Sequence, residues 1–174
     1  MNTRPDLRRW IGILGGLLAG WVATSFGLLG VVFATPSSGF TSTTFTASGV
    51  PEFALKTLSP THQVRISTKG QSDVHVTANV VVPGGTSGWH THPGPSVVVV
   101  NTGTATIYDG DDPTCTPQVY EAGSAFFDPG GGHLHLVRNE NSVNLETVAF
   151  QIVPAAASRR IDAPTPEAYE LCGF

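Results

Sequence analysis

Two histidine pairs, His90-Thr91-His92 and His133-Leu134-His135, hold most of the chain's six histidines. Side chains at i and i+2 of a strand leave one face. His90 and His92 therefore converge while Thr91 turns away, and His135 can approach from a second strand. Imidazoles gathered in an interior are costly to bury without partners. A divalent cation that accepts three nitrogen lone pairs removes that cost and leaves positions open for water, O₂ or substrate. One such pair is a weak indicator. Two of them, each adjoining a glycine-rich turn (Pro83-Gly84-Gly85 and Pro129-Gly130-Gly131-Gly132), make a stronger one. The expected ligands are His90, His92 and His135, with His133 as a fourth or alternative ligand. The competing reading is an empty pocket with the histidines packed in a core. Metal affinity is expected to rise through the ordinary histidine pKa near 6.5, because a ligand imidazole must be neutral.

Other polar groups read as background. His62 and His75 lack the paired spacing, and the parity of His75 opposes Val74, Val76, Ala78 and Val80, which puts it on a solvent face. Asp109, Asp111 and Asp112 lie in a turn without the later Glu of a calcium loop, so a solvated turn is expected. Tyr108, Phe126 and Phe127 are strand aromatics that core packing explains. Glu121, Glu140 and Glu146 are acid–base candidates by residue type alone.

The elements that must position the histidines are strands. After Pro60, β-rich runs cover 63–67, 74–82, 88–92, 96–101, 104–108, 118–120, 125–127, 133–138 and 144–153, separated by Gly, Pro, Asp and Asn turns. No long helical pattern intervenes, which excludes a βαβ arrangement and predicts an all-β sandwich or barrel. An eight-stranded barrel has room inside only for side chains or one small ligand. Residues 35–58 are rich in Ser, Thr and Gly and read as a linker, 59–154 as the barrel, and the Ala/Pro-rich 155–174 as a C-terminal tail.

The histidine runs resemble the two signature motifs of the cupin superfamily. Gly84, His90, His92 and Gly103 keep the spacing of the first motif, with Ser96 standing where that motif has Glu. Gly123, Pro129, Gly131, His135 and Asn139 follow the second, although the loop before His135 is one residue longer, which keeps His133 as a rival ligand. The resemblance covers roughly residues 59–154. It implies a double-stranded β-helix, or jelly-roll barrel, with a mononuclear metal site inside. Without the carboxylate of the first motif, the implied centre is all-histidine, similar to cupins of the thiol-dioxygenase kind. It suits Fe, Mn, Zn, Ni, Co or Cu rather than the two-His-one-carboxylate iron chemistry. Ser96 is then a candidate to hydrogen-bond a metal-bound water.

The rest of the chain concerns location. The formal net charge is −4, and Arg4, Arg8 and Arg9 precede the domain, so the domain itself is more acidic still; this excludes a nucleic-acid footprint. Residues 1–9 are polar and basic, and residues 10–34 contain no charged side chain. That length spans a bilayer and exceeds a signal-peptide core. The expectation is one N-terminal transmembrane helix with residues 1–9 cytoplasmic and the barrel outside. Val32 and Ala34 also fit a cleavage site, which leaves a secreted form as the alternative. Cys115 and Cys172 would both lie in the exported part, and an even count there predicts one disulfide.

Taken together, the expected protein is a membrane-anchored metal-binding domain acting on a small molecule by an oxygenase, isomerase or lyase reaction. The alternatives are a non-catalytic binding or sensing module and a structural cell-envelope domain. Expected partners are the small molecule, the membrane and, in a homodimer, a second copy.

Overall fold

Each of the β-rich runs becomes a strand in the computed structural model, which describes residues 33–170. In chain order the strands are β1 (Ser38–Val50), β2 (Ala54–Leu58), β3 (Gln63–Ser67), β4 (Ser72–Thr86), β5 (His90–Thr91), β6 (Ser96–Thr102), β7 (Thr104–Asp109), β8 (Gln118–Glu121), β9 (Ala125–Asp128), β10 (His135–Arg138), β11 (Leu145–Pro154) and β12 (Ile161–Asp162). A short helix, α1 (Glu167–Glu170), follows. Ten strands form one sheet with the path β12-β5-β10-β4-β11-β6-β9, while β1 joins β4 and β7 joins both β10 and β8. The sheet curls into a nearly closed barrel, and β2 and β3 form a separate hairpin.

The interior is divided between packing and chemistry. Val81, Val98, Val100, Ile107, Phe126 and Leu145 fill one part of the barrel. Thr77, Thr147, Gln151, Ser96, His75, His90, His92 and His135 are equally buried. A second cluster, Trp89, Tyr108, Leu136 and Tyr169, packs under the C-terminal segment. The Trp89 and Tyr169 rings meet edge to face at 4.6 Å.

Four expectations are corrected here. Residues 38–50 are not linker but β1, paired along β4 from Phe40↔Val81 to Ala47↔Val74. Their threonines are β-branched, which suits a pleated ladder as well as a flexible tether. The tail is likewise part of the domain, since β12 pairs with β5 and Tyr169 is buried. His75 is buried, with Nδ1 2.8 Å from Thr46 Oγ1, because β4 turns its polar parity inward and leaves Val76 exposed. Phe127 packs in no core: it is 74% exposed, one residue out of phase with buried Phe126.

The outward face is consequently apolar. Ladder partners align Phe45, Val76, Phe150, Val97 and Phe127 in one row across five strands. Among the described residues no helix is long and apolar enough to cross a membrane. The expected anchor at residues 10–34 and the expected partner of Cys115, Cys172, lie outside the described residues, apart from Phe33 and Ala34. No described cysteine is a free thiol.

Candidate metal centre

Strand β5 is only two residues long, yet it fixes the site. His90 is the Cα partner of His135 on β10, and Asp162 of β12 pairs with His90 on the other side. This places the His90 and His135 rings 4.3 Å apart, centroid to centroid. His92, two residues on, brings its ring to 4.9 Å from His90 and 5.4 Å from His135. One ligand atom from each of the three lies within 4.8 Å of the others. The three residues are 5%, 6% and 4% exposed.

The second ring nitrogens are already engaged. His90 Nδ1 lies 2.8 Å from the Gly88 carbonyl and His92 Nδ1 lies 2.6 Å from the Arg159 carbonyl. A carbonyl only accepts, so His90 carries its proton on Nδ1 and keeps a lone pair on Nε2. His92 Nδ1 also lies 3.2 Å from Gln151 Nε2, and the shorter contact to the Arg159 carbonyl favours the same tautomer. His135 Nδ1 makes a longer contact, 3.4 Å, with the His133 carbonyl. Such outer partners set the tautomer of metal-ligating histidines. Burial pushes all three imidazoles below their ordinary pKa, His135 down to about 4 and His90 further. Positive neighbours act in the same sense, His135 and Arg160 on His90 and Arg159 on His92, while Asp128 opposes the shift at His92 and His135. The triad is thus neutral, buried and ready to donate lone pairs.

His133 does not join it. Its ring sits between two carboxylates, with Nδ1 3.1 Å from Asp128 and Nε2 3.3 Å from Asp109. It stacks on His135 at 5.6 Å. The alternative ligand set of the extended loop is therefore a second cluster, Asp128, His133 and His135, adjoining the first. The aspartate turn has a related role at one end: Asp109 reaches His133, whereas Asp112 caps Thr114 and Thr116. Ser96 is buried and accepts a hydrogen bond from Gln151 Nε2 at 2.8 Å.

The turns that carry the site need their glycines. Gly130 has φ +67°, and a Cβ there would strike the Gly94 carbonyl. Asn139 is buried and donates to the carbonyls of Val81 and Val143 at 2.8 and 2.7 Å, tying β10 to β4 and to the next turn. Its role is to hold the scaffold rather than to face the cavity.

A cavity of about 60 Å³ opens beside the triad. Val98, Phe126 and Leu145 line it together with Asp128, Gln151, Arg159 and Arg160. Sequence reasoning missed Asp128 and both arginines. Asp128 had a signal, as the residue just before the Pro129 turn; its pairing with Ser96 shows only in the fold. The arginines had none, since their place depends on how the C-terminal segment crosses the barrel. Asp128 is 5% exposed; its Oδ1 accepts from the Gly130 amide at 3.1 Å, and its Oδ2 has no hydrogen-bond partner among the described residues.

Residues 79–150 match the cupin domain family model. No curated protein matches the chain. Among solved structures, the chain is similar to a cupin superfamily protein from Desulfitobacterium hafniense, with 10% identity, 62% of this chain and 82% of that chain covered, and a TM-score of 0.41. It is similar to a cupin 2 conserved barrel domain protein from Salinispora arenicola, with 23% identity, coverages of 57% and 74%, and a TM-score of 0.39. A structure of DMSP lyases gives 19% identity and a TM-score of 0.44; the match covers 52% of this chain and only 44% of that one.

Proposed function

We propose that this chain, a member of the cupin superfamily through its domain at residues 79–150, holds one divalent transition metal on His90, His92 and His135 and uses it on a small molecule. The observation that carries the reading is the set of three buried imidazoles whose Nδ1 atoms all face acceptors while their ligand atoms lie together. Three neutral nitrogen donors suit Fe, Mn, Zn, Ni, Co or Cu. An ion bound there would supply Lewis acidity and open coordination positions. The chain's own part is to orient the rings through the Gly88 and Arg159 carbonyls and to exclude water with Val98, Phe126 and Leu145. Asp128 Oδ2 remains as a hydrogen-bond acceptor beside the site.

An oxygenase- or isomerase-type reaction is the favoured outcome, and a binding or sensing module is the alternative. Incubating the metal-loaded chain with a mixture of small organic acids and thiols separates them. Conversion or O₂ uptake that vanishes in His135→Ala establishes an enzyme; a compound retained unchanged establishes a binding module. Neither result, from protein that carries metal, would contradict both.

The same proposal places the barrel outside the cytoplasm, with residues 10–34 as anchor and Cys115 joined to Cys172. Its support is the uncharged stretch that follows Arg4, Arg8 and Arg9. A homodimer through the row Phe45, Val76, Phe150, Val97 and Phe127 is consistent with this reading, since that row contains no charge that pairing would bury.

A further inference from the structure

Arg159 occupies an unusual position for a cation. It lies between β11 and β12, its carbonyl fixes His92 at 2.6 Å, and its side chain lines the cavity that holds the triad. Among the described residues its guanidinium makes one hydrogen bond, a long one of 3.4 Å from Nη1 to Gln151 Oε1. Neighbouring Arg160 is neutralised by contrast: its Nε lies 2.6 Å from Asp162 Oδ1 and its Nη2 donates to the Ser87 carbonyl. Among the described residues no carboxylate comes within ion-pair distance of Arg159, Asp128 included. A half-buried guanidinium that lines a cavity and pairs with no described carboxylate is placed to take its counter-charge from an anion that enters.

We infer that the cavity takes a small carboxylate, with its anionic group on the Arg159 guanidinium and a short hydrocarbon body against Val98, Phe126 and Leu145. The inference deepens the metal-centre reading by naming its substrate class. The planar guanidinium matches a carboxylate through two parallel hydrogen bonds, which a neutral amide cannot reproduce. Size follows from the cavity: about 60 Å³ of space corresponds to on the order of four water positions, which suits a molecule of a few non-hydrogen atoms.

The test is calorimetric titration of the full chain, metal-free and zinc-loaded, with propionate, propionamide and inorganic phosphate. Metal content is measured separately on each sample. Propionate should bind at least tenfold more tightly than propionamide and than phosphate. Arg159→Gln should lose that preference while retaining metal, because the carbonyl that orients His92 is main chain; Arg159→Lys should recover part of it. Equal affinity for propionate and propionamide, or undiminished propionate binding by Arg159→Gln, overturns the carboxylate inference with the metal centre intact. Tighter phosphate than propionate binding overturns the carboxylate class. Propionate selectivity lost in Arg159→Gln, in protein that takes up no zinc, overturns the metal reading and leaves the anion site standing.

Discussion

Ser96 and Asp128 are Cα partners across the β6–β9 ladder, and both line the cavity beside the histidine triad. The residue that leaves the first motif without its carboxylate therefore faces a carboxylate on the next strand. Asp128 also stands 3.9 Å from His135 Nδ1 and 3.1 Å from His133 Nδ1, so it links the two histidine clusters.

Asp128→Asn keeps the shape of the side chain and removes its charge. Outer partners of metal-ligating histidines are worth roughly 10–100-fold in affinity. A zinc competition titration should show a loss in that range with an unchanged circular dichroism spectrum. Wild-type affinity in the variant would reduce Asp128 to a brace for the Gly130 turn.

His133 and His135 should separate cleanly. His133 spends both ring nitrogens on Asp109 and Asp128, whereas His135 belongs to the triad. His135→Ala should abolish stoichiometric metal binding, and His133→Ala should weaken it by no more than about tenfold, as an outer-partner effect. Metal analysis after gel filtration decides. The reverse order would place the ligand at His133.

The pH profile differs from that of free histidine. Burial holds the triad neutral, with His135 down to about 4 and His90 and His92 also lowered. Metal occupancy should therefore persist below the ordinary value near 6.5 instead of rising through it. In the metal-free protein the unfolded chain takes up these protons near 6.5 while the native state refuses them. The unfolded state thus binds more protons in that window, so stability is complete above about 6.5 and is lost as pH falls toward about 4. Urea denaturation of metal-free protein should give a lower midpoint at pH 5 than at pH 7; identical midpoints would contradict the buried neutral triad.

The C-terminal segment should be structural. Tyr169 is fully buried against Trp89 and Tyr108. Tyr169→Ala should cost about 3 kcal/mol, and melting should fall by roughly 10 °C. A melting temperature within about one degree of wild type would show that the segment does not seal the barrel.

Strand positions after Pro60 were legible because alternation and turn residues are local signals. The histidine pairs were legible for the same reason, since i and i+2 share a face wherever the strand lies. What failed depended on partners distant in sequence. The Thr-rich run 38–50 pairs with β4 some thirty residues on, and nothing in its composition distinguishes that ladder from a tether. The faces of β4 were inverted because an apolar alternation ordinarily marks the core, yet here Thr77 and His75 point inward and Val76 outward. Arg159 reaches the site only because β12 pairs with β5, a contact that no motif encodes.

The most direct measurement is the metal content of the purified chain by inductively coupled plasma mass spectrometry, for wild type and for the His90→Ala/His92→Ala double variant. Both proteins should be folded by circular dichroism, because Val100 and Ala105 pack in the barrel core and do not line the cavity that the triad faces. Close to one equivalent of a transition metal in wild type, and less than a tenth of that in the double variant, is the expected result. Equal metal in the two proteins, or none in wild type after incubation with Fe, Mn, Zn, Ni, Co and Cu salts, would contradict the histidine metal centre.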